Sequence, residues 1–303
     1  MQAFIKKLIQ QRYLFLMSVP FIIWLIIFSY VPIWGWTMAF QNYKPGKLFF
    51  AQKWVGMANF IELWGDNRFW RDFRNTLGMS VLGIIFGTIC PIILALLINE
   101  IRFRKFKRTV QTISYLPHFI SWVIVANIFY SMLSPQSGIV NIILMKLGIL
   151  SQPVQFMAAP SMFWGILTFA SVWKEVGWGT IIYLAAIAGV DLELYEAATV
   201  DGCGRFKKMW HITIPGIMPT IIVLFILGFG ALTQIGFERQ MLLGNAMVQD
   251  VSEVIDLYAL KFGIGSARYS LGTAVAVFNS LISLTLLVTA NTIFKKLRGE
   301  SVF

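Results

Sequence analysis

The chain has 303 residues, 57% of them hydrophobic and only 13% charged, with a formal net charge of +11. Soluble domains carry about 25% charged residues, so this composition, with a mean hydropathy of +0.72, excludes an ordinary soluble globular protein and indicates an all-α, polytopic membrane protein. The two cysteines, Cys90 in an apolar run and Cys203 in a polar insert, fall in different environments and read as unpaired packing residues.

A bilayer crossing takes about 20 helical residues, and six runs qualify as spans: about 13–40, 75–98, 110–133, 161–188, 217–236 and 270–294. The first is longer than a signal-peptide core and has no small-residue cleavage site after it, so it reads as a retained helix. Six crossings place both termini on one side, and chain 1–303 reads as a single transmembrane domain. With the termini in the cytoplasm, the inner segments hold 14 basic and six acidic residues, and the outer loops ten and seven. The inner basic residues run from Lys6 and Lys7 through "IRFRKFKR" (101–108) to Arg298. That bias is the positive-inside signature. It accounts for most of the net charge without calling on nucleic acid.

The first outer loop, about 41–74, is rich in Trp and Phe, as expected at a membrane interface or in a small packed cap. The third, about 237–269, has apolar residues Val251, Val254, Ile255, Tyr258 and Ala259 at the spacing of one short helix lying on or partly entering the membrane. Between the fourth and fifth spans lies the cytoplasmic insert 191–215. Asp191 is the expected N-cap of a short helix, Leu192 to Val200, with Leu192, Tyr195 and Thr199 on one side. Gly202 and Gly204 are expected to break it. A second short helix, Arg205 to Ile212, leads to Pro215 and Pro219 at the next span. The unit therefore reads as helix, glycine elbow, helix, membrane.

The order of residues in this insert is more specific than its pattern. "EAATVDGCGRFKKMWHITIP" resembles the cytoplasmic EAA loop of permease subunits of ABC importers: Glu196-Ala197-Ala198 is followed at the family register by Gly202, Ile212, Ile214 and Pro215. Asp201 fits the carbohydrate-importer version, and Ile214 replaces a usual leucine. "YLPHFISWVIVANIFYSMLSPQSGIVN", "WKEVGWGTIIYLAAIAGVDLELYEAA" and "DVSEVIDLYALKFGI" resemble the polysaccharide or lipoprotein-associated branch, and the likeness runs from about Arg12 to Leu297.

The resemblance implies a type I ABC importer permease in a bacterial cell (inner) membrane, both termini cytoplasmic, translocating an oligosaccharide, with acidic sugars among the candidates. It implies three kinds of partner besides the lipid bilayer and the cargo: two ATPase subunits, a second related permease, and an extracellular solute-binding protein. ATP and Mg belong to the ATPase chains, since no G-x-x-x-x-G-K-[ST] occurs here. Glu196, Ala197, Ala198, Asp201, Gly202, Ile212 and Pro215 are the expected coupling residues.

Sugar sites use aromatic faces with polar groups that bond hydroxyls. The candidates for the substrate path are Asn127, Tyr130, Trp173, Trp178, Tyr183, Gln234, Glu238 and Asn279, more persuasive if they share one cavity. Lys174 and Glu175 join them because charge within a span is costly and usually functional. For this pair, a structural bond to a neighbouring helix and an unwound turn near Gly177 and Gly179 are the competing readings. His118 and His211 lack ligand spacing and form no metal motif. Neither H-E-x-x-H nor G-x-S-x-G occurs, which disfavours a membrane enzyme. A permease for a non-sugar solute and an ion-coupled secondary transporter stand as alternatives.

Overall fold

The computed structural model describes residues 11–298; Lys6, Lys7 and Glu300 of the charge count lie outside the described residues. Apart from one short hairpin, the secondary structure is helical, and the chain divides into two compact units.

The first unit comprises residues 11–66 and 259–278. Helix α1 (Arg12–Leu25) continues through a π turn (Ile26–Tyr30) and a 3-10 stretch (Val31–Phe40) as one irregular rod. A hairpin of β1 (Gln41–Asn42) and β2 (Lys53–Trp54) follows, pairing Gln41 with Trp54. The Gln52 amide closes the hairpin loop by donating to the carbonyls of Lys44 and Lys47. Helix α2 (Ala58–Gly65) packs Phe60 on Phe40, whose ring stacks at 5.8 Å on Trp54. The Trp- and Phe-rich loop thus forms a small aromatic cap. Within this unit, Arg268 bonds Glu62 at 2.5 Å, and Trp64 meets Phe278 edge-on.

The second unit, Asn67–Tyr258 with 279–298, holds the remaining elements. These are α3 (Asn67–Asn99), α4 (Arg104–Tyr115), α5 (Trp122–Met132), α6 (Ile139–Lys146), α7 (Pro160–Ala188), α8 (Leu192–Val200), α9 (Arg205–Lys208), α10 (Ile214–Gly230), α11 (Glu238–Leu243), α12 (Gln249–Ser252) and α13 (Ile255–Tyr258). Helix α14 (Tyr269–Arg298) begins in the first unit and ends in the second. Helices α3 and α7 form the spine, brought close by small residues. A Cβ on Gly78 would strike the Trp164 ring, and one on Gly177 would overlap the backbone of Ser114 in α4. Such positions let helix backbones approach where side chains would hold them apart. Ala95, Leu96, Tyr183, Ile187 and Ile217 form a core cluster joining α3, α7 and α10.

Among the described residues, four helices are long and apolar enough to cross a membrane: Arg12–Phe40, Asn67–Asn99, Arg205–Gly230 and Tyr269–Lys296. The run expected as one straight span over 110–133 is two pieces, Arg104–Phe119 and Trp122–Met132, meeting at 101°; taken together they make a fifth. Pro117 in the 3-10 turn Leu116–Phe119 and the Ser121 N-cap of α5 explain the bend, since each interrupts the helical hydrogen-bond ladder. Helix α7 covers the expected fourth span and has 29 residues. It falls short on apolarity because Lys174 and Glu175 sit at its middle. It is helical throughout, so the unwound turn considered at Gly177 and Gly179 is absent.

The helix expected over Val251–Ala259 is also broken. Glu253 is extended between α12 and α13 because its side chain is taken by Arg71 and Gln249 and its carbonyl by Asn75. Val254, Ile255, Leu257 and Tyr258 are buried, and α13 packs on α3.

Candidate functional site

Two regions of the second unit carry the expected functional residues. In the insert, Asp191 caps α8 by accepting a hydrogen bond from the Glu193 N–H at 3.0 Å. The helix ends at Asp201 in a Schellman turn: the Gly202 N–H donates to Thr199 O at 3.1 Å and the Cys203 N–H to Ala198 O at 2.9 Å. Gly202 has φ +71, which glycine adopts at no steric cost, and open space surrounds its missing Cβ. Gly204 has an ordinary φ of −71, so the left-handed backbone is supplied by Gly202 alone.

The second short helix expected over Arg205–Ile212 is not separate. Helix α9 runs through a π turn (Met209–Thr213) into α10, giving a continuous rod from Arg205 to Gly230. Pro215 lies in the first turn of α10, where its ring would clash with a carbonyl four residues back in a regular helix; the π turn widens the ladder there. Helix α8 is fastened to this rod by the Tyr195 hydroxyl and Thr213 Oγ1 at 2.8 Å, and by the Lys208 ammonium donating to Thr199 Oγ1. Arg205 reaches Glu100 at the end of α3 at 3.7 Å. Gly216 sits so close to Val190 that a Cβ would meet its methyl at 2.8 Å.

No residue of α8 is buried. Glu196, Ala197, Asp201 and Pro215 are exposed, Ala198 and Ile212 half-buried. Leu192, Val200, Phe206 and Trp210 are also exposed, Val200 to 90% and Phe206 to 85%. Apolar residues are thus gathered, uncovered, at a polar turn.

The second region is a cavity of about 490 Å³ between α3, α7 and α10, a size usual for small-molecule sites. Gly83 and Gly87 of α3, Gly179 of α7 and Gly228 of α10 leave much of its wall bare, and Thr88, Tyr183, Gln234 and Arg239 supply polar groups. Tyr183 belongs both to this wall and to the core cluster that reaches α10. Arg239 donates to Ser171 Oγ at 3.2 Å and, with the Gln240 amide oxygen turned toward it, from Nε at 3.3 Å. Burial draws its guanidinium below the usual arginine value, and the Glu175 charge offsets part of that.

The ten path candidates do not share this cavity: Tyr183 and Gln234 line it and the rest lie elsewhere. Tyr130 lines a second cavity of about 480 Å³ and donates to Leu243 O at 3.0 Å. Trp173 lines a third, about 510 Å³, with Phe129 and Phe169. Asn127 bonds its own helix at Val123 O, Glu238 is exposed, and Asn279 packs against Thr233. Lys174 is buried, donates to His118 O at 2.5 Å and pairs with Glu175 at 3.2 Å. Glu175 bonds His118 Nδ1 at 2.6 Å, and Trp178 stacks on that imidazole at 4.4 Å. The charged pair and Trp178 therefore lock α7 to the bend between α4 and α5. Arg239 is the cavity residue that sequence reasoning missed. It looked like one of ten outer-loop cations, and no local signal marks it.

The family model for the inner membrane component of binding-protein-dependent transport systems matches residues 81–298. Protein LplB of Bacillus subtilis is 40% identical, over 99% of this chain and 94% of its own length. The B. subtilis polygalacturonan/rhamnogalacturonan transport system permease protein YteP is 41% identical, over 98% of this chain and 92% of its own. A chain of a bacterial ABC transporter involved in the import of the acidic polysaccharide alginate superposes with TM-score 0.88 at 38% identity, covering 98% of this chain and 99% of that one. With the family match spanning most of the sequence and two relatives about 40% identical over nearly all of it, the chain belongs to the inner-membrane permease components of binding-protein-dependent transport systems.

Proposed function

We propose that this chain is the non-catalytic membrane subunit of an ATP-driven importer that moves an oligosaccharide inward by alternating access. In this reading it crosses the membrane six times with both termini in the cytoplasm. Helix α7 is one of the crossings despite its internal charges, because Lys174 and Glu175 are paired there. A solute-binding protein delivers cargo, a second related permease completes the pathway, and two ATPase subunits hold ATP and Mg. The names of its relatives support a polysaccharide-derived cargo, and a related alginate importer has been described in complex with a pentasaccharide-bound periplasmic protein.

The observation that carries the coupling assignment is the fastening of α8. Glu196, Ala197, Ala198, Asp201 and Gly202 sit on an exposed helix-and-turn whose apolar residues lack cover, yet whose base is tied to α10 and, through Ile217 and Tyr183, to the spine. A nucleotide-driven movement of an ATPase cleft gripping this knob would be carried into α3, α7 and α10. Ile212 and Pro215 stand at the π turn where the knob joins the rod. Site-specific cross-linking tests this directly. With Cys90 and Cys203 replaced, cysteine at Ala197 should cross-link to the ATPase subunit in the assembled complex and be labelled only by reagents that reach the cytoplasm. Labelling from the outer face, or no cross-link to an ATP-hydrolysing chain, would overturn the assignment.

A further inference from the structure

Arg239 is the only charged residue among those lining the large cavity. Its two protein bonds are to neutral acceptors, the Ser171 hydroxyl and the Gln240 amide, although a guanidinium offers five donors. The acids nearby are otherwise engaged or turned away. Glu175 holds Lys174 and His118, Asp256 accepts from the Gly236 N–H at 2.8 Å, and Glu238 is exposed. Among the described residues none of them forms an ion pair with Arg239. Lys174 and Glu175 pair with each other, so Arg239 stands beside the cavity with no ion-pair partner among the described residues. The remaining polar lining has free capacity: the side chains of Thr88, Tyr183 and Gln234 make no hydrogen bond within the described residues. An aromatic ring, an amide and a hydroxyl around a lone guanidinium match a carbohydrate bearing a carboxylate. Arginine binds that group with two parallel hydrogen bonds, and a dry surrounding strengthens them.

We propose that Arg239 recognises a carboxylate of the cargo, and that the cargo class is a uronate-containing oligosaccharide whose hydroxyls lie against Thr88, Tyr183 and Gln234. This rests on the importer reading and adds to it the substrate class and the residue that selects it.

The test uses the complete transporter, with its binding protein, in proteoliposomes. The probes are an oligogalacturonate trisaccharide and its methyl ester, which keeps the length and hydroxyls but removes the charge. The acid-to-ester uptake ratio in wild type, divided by that in R239Q, cancels the binding protein's own preference. This quotient should be about tenfold or more, the worth of a charge-assisted pair. R239K should give an intermediate value, keeping the charge and losing the planar fork. A quotient near one, whether R239Q transports normally or loses both sugars equally, overturns the Arg239 assignment while leaving the importer standing. Wild-type complex that takes up neither sugar but does take up a non-sugar solute overturns the oligosaccharide reading on which this proposal rests.

Discussion

The start of α3 and the tip of α8 are both polar, and they treat their polar groups in opposite ways. At the start of α3, Arg71 binds Asp72 at 3.0 Å, Asp250 at 2.8 Å and Glu253. Asn75 donates to the carbonyls of Asp250 and Glu253, and Thr76 Oγ1 accepts from the Ile255 N–H. Those groups bind one another across the chain, and the apolar residues of α13 are covered. At the tip of α8, the hydrogen bonds fix the backbone and the base, while Leu192, Val200, Phe206 and Trp210 face outward. A cluster that closes on itself holds a fold together. One whose scaffold is finished but whose apolar surface is bare fits the docking role proposed for α8.

Breaking each side should separate these roles, and the largest effect belongs to the tip. Gly202→Pro cannot reach φ +71, because the proline ring fixes φ near −65°. It should abolish substrate-stimulated ATP hydrolysis in the reconstituted complex, as should Glu196→Lys, while membrane insertion measured by fractionation stays normal. Normal transport by either variant would break the contrast. Next comes Arg71→Ala, which removes the guanidinium from Asp72 and Glu253, whose side chains are 0% and 4% exposed. A loss of about 3 kcal/mol is expected for a buried charge network stripped of its cation. It should be read as a lowered thermal midpoint in detergent together with faster proteolysis around residues 249–255. Gly202→Ala meets no neighbour and pays only for its backbone, about 1 kcal/mol. It should weaken coupling several-fold with no change in thermal midpoint. The mildest is Tyr195→Phe, which deletes one hydroxyl bond to Thr213, worth about 1 kcal/mol. It should raise the ATP hydrolysed per sugar imported, measured as a stoichiometry.

What the sequence disclosed followed the range of each interaction. The turn at Gly202 is written within six residues, Ala198 to Cys203, so spacing and residue type were enough to find it. The long helices are composition averaged over many residues and were equally plain. The 101° bend, the merging of α9 into α10 and the split at Glu253 depend on partners or ladder geometry that periodicity does not carry. Glu175 meets His118 across 57 positions, and Arg71 meets Glu253 across 182. The same distance effect scattered the path candidates. Side chains with similar chemistry, such as Tyr130 and Tyr183, ended in different cavities because their helices turn them to different neighbours. Arg239 was lost for the same reason: its surroundings are assembled from three separate stretches of chain.

Tyr183 occupies two places at once, with its ring in the packing that anchors the α10 rod and part of its surface on the cavity wall. In the importer proposed above, transmission and lumen therefore share a component. A smaller residue there would widen the bore and slacken the drive train in the same stroke, so that accommodating bulkier freight at this position comes at the expense of fuel efficiency.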